Sequence, residues 1–249
     1  MRIILVGYAG HMGREVREAA ERAGVEIAAG IDPMAPEADA VCVRRFEDCT
    51  AEADVIVDFS HHSLTGELMD FAERRGLPLV LATTGQTEDE KQRIHQGAKK
   101  VPLFLAANYS LGIAVLSDLV RRTAALYPDA EIEIVEQHHD RKIDAPSGTA
   151  LALFDAVKEV RPDAEANLGR SGHGKRTAQE VGIHAIRMGN IAGIHEVMIG
   201  TQNERISLKH EAFSRGVFAD GSLKAAAFMI GKKPGLYDMK DLLRGSAEE

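Results

Sequence analysis

The first thirteen residues constrain this chain more than any other stretch. Arg2–Val6 is a short apolar run. It leads directly into Gly7-Tyr8-Ala9-Gly10-His11-Met12-Gly13 and then a helical pattern to about Ala23. Strand, glycine turn and helix in that order form the phosphate-binding start of a Rossmann unit. Gly7 permits the tight turn, Gly10 lets backbone approach a pyrophosphate, and Gly13 lets the helix pack on the strand. The spacing is GxxGxxG rather than GxGxxG, so the motif gains its weight from context. Val25–Ile31 reads as a second strand, and Asp32 at its end stands 19 positions after Gly13. An acid there is placed to accept hydrogen bonds from an adenosine ribose. The plainer alternative is an aspartate that only starts the turn into Pro33.

The rhythm continues through the first hundred residues. Strands at Ala53–Phe59, Leu77–Ala82 and Val101–Ala106 alternate with helices at 64–75 and about 87–99. Nearly continuous apolar strands separated by helices predict a parallel, doubly wound sheet covered on both faces. Ligands on such sheets lie beyond the strand C-termini. Gly7 to Met12, Asp32, Phe59, Ala82 to Thr84, and Ala106 to Tyr109 all fall on that predicted rim.

After Tyr109 the pattern changes. A helix at about 113–126 precedes Glu131–Ala150, the stretch EIEIVEQHHDRKIDAPSGTA. It opens with strand alternation and then sets His138, His139, Arg141 and Lys142 within five positions. It closes on Ser147, the predicted N-cap of a helix with apolar Leu151, Phe154 and Val157. Two imidazoles and an ammonium at a strand's end, facing a helix N-terminus, suit a small dianion that must also exchange a proton. A solvated basic loop is the bland alternative. Residues 163–181, rich in Gly, Arg, His and Lys, read as a mobile loop. Strands are predicted at Ile183–Met188, Ile194–Thr201 and Arg205–His210, the last two forming a hairpin at Gln202-Asn203. A helix at about 220–231 and a short final helix follow. Residues 1–108 with 215–249 are therefore expected to form a dinucleotide-binding domain. Residues 109–214 are expected to form a second α+β domain with a mixed sheet, for substrate binding and oligomerisation.

Bulk properties narrow the partners. A formal net charge of −8 argues against a nucleic-acid or anionic-membrane surface. No apolar run approaches the ~18 residues needed to cross a bilayer. The chain enters a strand at once without a leader pattern and carries only Cys42 and Cys49, so a cytoplasmic protein is expected. The ten histidines contain no HxxxH pair or His/Cys cluster, so no metal is expected.

Taken together, the motifs resemble the 4-hydroxy-tetrahydrodipicolinate reductase family, long called dihydrodipicolinate reductase. They are GYAGHMG, DFS at 58–60, ATTG at 82–85, AANYSLG at 106–112, HHDRKIDAPSGTA at 138–150 and GKKPGLYDMKDLL near the end. The 138–150 segment is the specific one; glycine turns are shared by many dehydrogenases. The resemblance implies NADH- or NADPH-dependent reduction of a small cyclic dicarboxylate to tetrahydrodipicolinate on the diaminopimelate route to lysine, in a homotetramer. It implies His138 as proton donor and acceptor, Lys142 as proton donor and His139 as a substrate ligand. Gly148 and Thr149 would grip a carboxylate. Gly7, Tyr8, Ala9, Gly10, His11, Met12, Asp32, Ala82, Thr83, Thr84, Ala106, Ala107, Asn108 and Tyr109 would contact the dinucleotide. Hydride addition to a conjugated imine builds negative charge that an acid must quench, and both an imidazole and an ammonium can supply the proton near pH 7.

Two departures bear on the cofactor. Many relatives carry Arg at the position of His11, and some a basic residue at the position of Pro33. An acid with no adjacent cation favours the 2′-OH of NADH, although Arg44, Arg45 or His11 could reach a 2′-phosphate. The expectation is dual use with a lean to NADH. Other candidates are His61 and His62 after the DFS strand, and His173, Lys175 and Arg176 in the glycine-rich loop. Arg187 and His195 at strand ends, Arg215 at the return to the first domain, and Lys232 and Lys233 complete them. Two different functions remain open at this level. One is another dehydrogenase acting on an amino or aldehyde acid, which would not need HHxxK followed by SGT. The other is a non-catalytic nucleotide sensor, which would not use His138 and Lys142.

Overall fold

The structure, a computed structural model, describes residues 1–35 and 41–245; the last four positions of the predicted first domain lie outside them. The chain divides into two compact units, Met1–Leu111 together with the chain from Arg215 onward, and Gly112–Ser214.

The first unit begins with β1 (Arg2–Val6), α1 (His11–Ala23), β2 (Glu26–Ile31) and β3 (Cys42–Val43). It continues through β4 (Val55–Asp58), α2 (Thr65–Arg75), β5 (Leu79–Leu81), α3 (Glu88–Gly97) and β6 (Pro102–Leu105). The glycine turn is dictated sterically. Gly7 adopts φ +81°, and a Cβ on Gly13 would stand 2.2 Å from the Gly7 carbonyl oxygen. No side chain fits there without moving backbone. Thr87 and Glu90 close a reciprocal capping box at the start of α3.

The second unit holds α4 (Leu111–Leu126, starting at the boundary), β7 (Glu131–His138) and α5 (Gly148–Lys158). Then come β8 (Glu165–Asn167), β9 (Glu180–Arg187), β10 (Gly193–Gly200) and β11 (Arg205–Ala212). Its sheet runs β11-β10-β7-β9-β8 and is mixed. The β11–β10 and β10–β7 pairs are antiparallel, while β7–β9 and β9–β8 are parallel. Alternate residues of β7 (Ile132, Ile134, Glu136, His138) are buried. The first two join a core with Leu153, Phe154 and Val157 of α5.

The chain then returns to the first unit as α6 (Gly216–Met229), β12 (Gly235–Tyr237) and α7 (Met239–Gly245). Helix α6 packs on α1 and across β4, β5 and β6. Its small residues permit close approach: a Cβ on Gly221 would lie 1.7 Å from the Tyr109 carbonyl oxygen. The completed sheet has the order β12-β6-β5-β4-β1-β2-β3, with every pair parallel. The architecture is the doubly wound parallel sheet with a second mixed-sheet unit that the sequence predicts.

Several local expectations differ from what is observed. The 163–181 segment is not all loop, because β8 lies inside it and β9 starts at Glu180. The three residues Glu165-Ala166-Asn167 carry no strand pattern, and β8 exists by pairing with β9. Strands β3 and β12 are two- and three-residue edges, too short for a period to register. Helix α6 begins four residues before the predicted start. In α5 the inward stripe is Ala150, Leu153, Phe154 and Val157, whereas Leu151 is 41% exposed.

Candidate active site

In the first unit, sheet register gathers the predicted rim. Val6 pairs with both Ile31 and Asp58, Asp58 with Leu81, and Leu81 with Leu105. The residues that follow, Gly7 to Met12, Asp32, Phe59, Ala82 to Thr84 and Ala106 onward, therefore leave the sheet at one edge. The Asp32 carboxylate is buried and accepts the Ala9 amide on Oδ2 and the Met34 amide on Oδ1, each at 2.9 Å. It thus braces the glycine turn and also makes the local turn through Pro33. The Tyr8 ring lies over Gly30, where a Cβ would approach it to 2.5 Å, and the Arg17 guanidinium stacks 4.6 Å from its centroid. Ala9, Gly10 and His11 are exposed, as are Thr84 and Ala107.

Two buried groups organise this rim from beneath. Asp58 accepts the Ser60 amide at 3.1 Å and its hydroxyl at 2.5 Å, while its own carbonyl takes the Ala82 amide. Burial pushes the Asp58 carboxyl up, against hydrogen bonds from Ser60 and Thr83 that pull it down. Tyr109 differs from the other predicted contacts. Its side chain is inside, donating to the Leu81 carbonyl at 2.8 Å and the Phe104 carbonyl at 3.2 Å. Burial, with the Asp58 charge, raises its phenol well above the usual range. The Asn108 side chain accepts the Ser110 amide at 2.8 Å. His62 pairs with Glu90 at 3.0 Å, and Arg215 caps the start of α6 with its backbone.

In the second unit, the 138–149 stretch is built around a residue that sequence reasoning passed over. Glu136 has no exposed surface. Its Oε2 accepts His138 Nδ1 at 2.5 Å and Arg187 Nη1 at 2.8 Å. Its Oε1 accepts the Ser147 amide at 2.9 Å and Arg187 Nη2 at 2.8 Å. Burial by itself would raise the Glu136 carboxyl; hydrogen bonds from Arg187, His138 and Ser147 outweigh it and hold the group below its ordinary range. Arg187 is correspondingly held higher and also donates to the Asp144 carbonyl at 2.6 Å. Lys142 pairs with Asp144 at 2.8 Å, an ion pair that lowers the Asp144 carboxyl.

Ser147 caps α5 through its hydroxyl, which accepts the Ala150 amide and lies 3.2 Å from His195 Nε2. His195 is buried, edge-on to the His138 ring at 5.2 Å between centroids. Burial, and then the His138 charge, pushes it down to about 4. Gly148 opens the helix with open space where a Cβ would stand, and Thr149 follows it half-buried. His139 is half-buried, its amide donating to the Ile191 carbonyl. Arg176 is no lid: its guanidinium is held by Glu133 and by the Ile132 carbonyl. The structure thus brings His138, Lys142, Gly148 and Thr149 into one strand-to-helix connection and adds Glu136, Arg187 and His195. Two signals were present in the sequence: Glu136 falls on the apolar face of a strand alternation, and Arg187 and His195 sit at strand ends. Among the described residues, no group of three His, Cys, Asp or Glu could hold a metal ion, and no helix is long and apolar enough to cross a membrane.

Comparison with known proteins joins these two halves. Residues 1–109 match the family described as dihydrodipicolinate reductase, N-terminus, and residues 112–243 its C-terminus. The chain is 44% identical over 247 residues to the 4-hydroxy-tetrahydrodipicolinate reductase of Clostridium tetani, covering 98% of this chain and 97% of that one. It is 43% identical, over 98% of each chain, to the enzyme of the same name from Caldanaerobacter subterraneus subsp. tengcongensis. Among solved structures, a dipicolinate-bound dihydrodipicolinate reductase from Paenisporosarcina sp. TG-14 superimposes with a TM-score of 0.81 at 23% identity, over 96% of this chain and 97% of that one. These matches span both units, and the chain belongs to the dihydrodipicolinate reductase family.

Proposed function

We propose that this oxidoreductase reduces 4-hydroxy-tetrahydrodipicolinate to tetrahydrodipicolinate, with loss of water, using NADH or NADPH held on the first unit. A nicotinamide cofactor, when bound, supplies a hydride. The fit of the rim to a dinucleotide rests on the Gly7–Gly13 turn, which leaves backbone uncovered at the start of α1, and on Asp32 behind it. Gly7, Tyr8, Ala9, Gly10, His11 and Met12 would follow the pyrophosphate, with Asp32 toward the ribose. Ala82, Thr83, Thr84, Ala106, Ala107 and Asn108 would line the nicotinamide side, with the Tyr109 phenol tying the strands beneath.

The rest of the chemistry belongs to the second unit. His139, with Gly148 and Thr149 at the start of α5, grips the substrate carboxylates, where backbone N–H groups and the helix dipole favour an anion. The dipicolinate held by the Paenisporosarcina enzyme is a ligand of this kind. His138 and Lys142 deliver the proton that quenches charge after hydride addition. The observation that carries this reading is the Glu136–His138 hydrogen bond beside the α5 N-terminus. It orients an imidazole beside a helix N-terminus, which supports a proton donor acting next to a bound carboxylate.

Cofactor use is dual with a lean to NADH. Asp32 accepts hydrogen bonds and Pro33 adds no cation, yet Arg44 and Arg45 follow β3, the strand beside β2 on the same edge. The enzyme works as a homotetramer through the second unit's sheet, whose outward side carries Ile186, 40% exposed. Cys42 and Cys49 are buried free thiols, in keeping with the cytoplasm. The decisive experiment couples the purified protein to the synthase that makes the substrate and follows NAD(P)H loss at 340 nm. Folded protein without turnover would defeat the proposal.

A further inference from the structure

We propose that Glu136 is the positioning residue of this site, holding His138 in its Nδ1–H form so that Nε2 is the nitrogen that exchanges the proton. The inference deepens the proton-transfer reading of His138 and rests on it.

A carboxylate offers about four acceptor positions. Glu136 is given four donors: His138 Nδ1, the two Arg187 nitrogens and the Ser147 amide. Arg187 is a permanent cation and an amide N–H can only donate, so the carboxylate accepts throughout. His138 must then carry its hydrogen on Nδ1. The other ring nitrogen is left with space beside it: a Cβ at Gly193 would stand 3.2 Å from His138 Nε2, and glycine keeps that place empty.

The second imidazole is tuned to stay out of the exchange. Ser147 Oγ accepts the Ala150 amide and keeps a hydroxyl hydrogen that it can donate to His195 Nε2, 3.2 Å away. Burial depresses the basicity of His195, so it stays neutral where His138 works. It packs on His138 without adding a second cation. The anchor is also shared: Glu136 Oε1 fixes Ser147, which caps the helix bearing Gly148 and Thr149. One buried carboxylate thereby sets both the proton-bearing ring and the helix start that would hold the substrate carboxylate.

The test is long-range ¹H–¹⁵N correlation on full-length protein labelled at histidine, recorded near pH 9, with His138 assigned by its absence in His138→Gln. The wild-type protein should show the Nδ1–H tautomer. In Glu136→Gln the amide NH₂ meets two of the four donors whichever oxygen it replaces; of those four only His138 can turn acceptor, so the NH₂ should settle on the Oε2 side and the tautomer should shift toward Nε2–H. In that variant kcat should fall on the order of 10²-fold, with KM for NADH within about twofold of wild type. Glu136→Asp, which keeps the charge, should recover part of kcat. An Nε2–H tautomer in the wild type overturns the inference without any variant needing to fold. So does a Glu136→Gln protein with the wild-type tautomer and kcat. If His138→Gln turns over at the wild-type rate, the proton-transfer reading falls instead, while the tautomer measurement still decides what Glu136 does.

Discussion

Asp32 and Ala9 are 23 positions apart, yet the Asp32 carboxylate accepts the Ala9 amide at 2.9 Å, tying the end of β2 to the turn after β1. The residue proposed to meet the ribose is therefore also a strut of the loop proposed to meet the pyrophosphate. Removing it should damage both. Asp32→Ala should raise KM for NADH roughly tenfold or more, since hydrogen bonds to a charged group contribute about 1.5–3 kcal/mol. The kcat at saturating NADH should change little. Steady-state kinetics with NADH varied checks this, and an unchanged KM would show that Asp32 serves only its turn.

The same edge gives a prediction about cofactor choice. Val43 of β3 pairs with Ile31, so Arg44 and Arg45 emerge beside Asp32. A 2′-phosphate carries charge that guanidinium groups recognise well, whereas a 2′-OH does not require them. The Arg44→Ala/Arg45→Ala double variant should lose about tenfold in kcat/KM with NADPH, the size of one charge-assisted contact. With NADH it should stay within about twofold. Equal losses with the two cofactors would remove these arginines from the specificity argument.

Legibility in the sequence followed the strength of the local pattern. The parallel sheet was readable because its strands are buried on both faces and nearly all apolar, and because glycine at positions 7 and 13 answers a steric demand. Strands β8 and β12 were not readable, since Glu165–Asn167 and Gly235–Tyr237 are three-residue edges that exist through their neighbours. The basic stretch at 138–142 stood out by composition, but its anchor did not. Glu136 falls on the apolar face of an alternating strand, but what it holds is not visible until the pairing of β7 with β9 brings Arg187 opposite His138. A buried carboxylate is intelligible only with its partners, and those lie 2, 11 and 51 positions away.

Lys142 separates chemistry from binding. Its partner Asp144 is half-exposed, and the lysine side chain is 23% exposed. Such pairs contribute about 0–1 kcal/mol, so Lys142→Ala should leave the melting temperature nearly unchanged. If Lys142 delivers a proton, kcat should drop by about 10²-fold or more. NADH affinity, read by fluorescence titration, should not move. Loss of NADH binding with kcat preserved would place Lys142 in the wrong half of the mechanism.

His195 makes stability depend on acid in a definite window. Burial and the neighbouring His138 charge take it from 6.5 to about 4, against the opposing pull of Glu136. Between those values the unfolded chain binds a proton that the folded chain refuses, so stability rises with pH through this range and is complete above about 6.5. The difference corresponds to about 3 kcal/mol, to order of magnitude. His210, also lowered by burial, adds a contribution of the same sign. Glu136, with its depressed carboxyl, loses its stabilising effect only as pH falls below 4.5. Urea midpoints measured from pH 4 to 7 should therefore climb steeply in the wild type. In His195→Gln the climb should be shallower, because His210 and Glu136 remain but the refused proton at position 195 is gone. The relevant comparison is the slope and not the stability at one pH, since the glutamine also disturbs the bond to Ser147. Parallel slopes in the two proteins would mean that His195 titrates alike in the folded and unfolded chain, and that it is no neutral spectator beside His138.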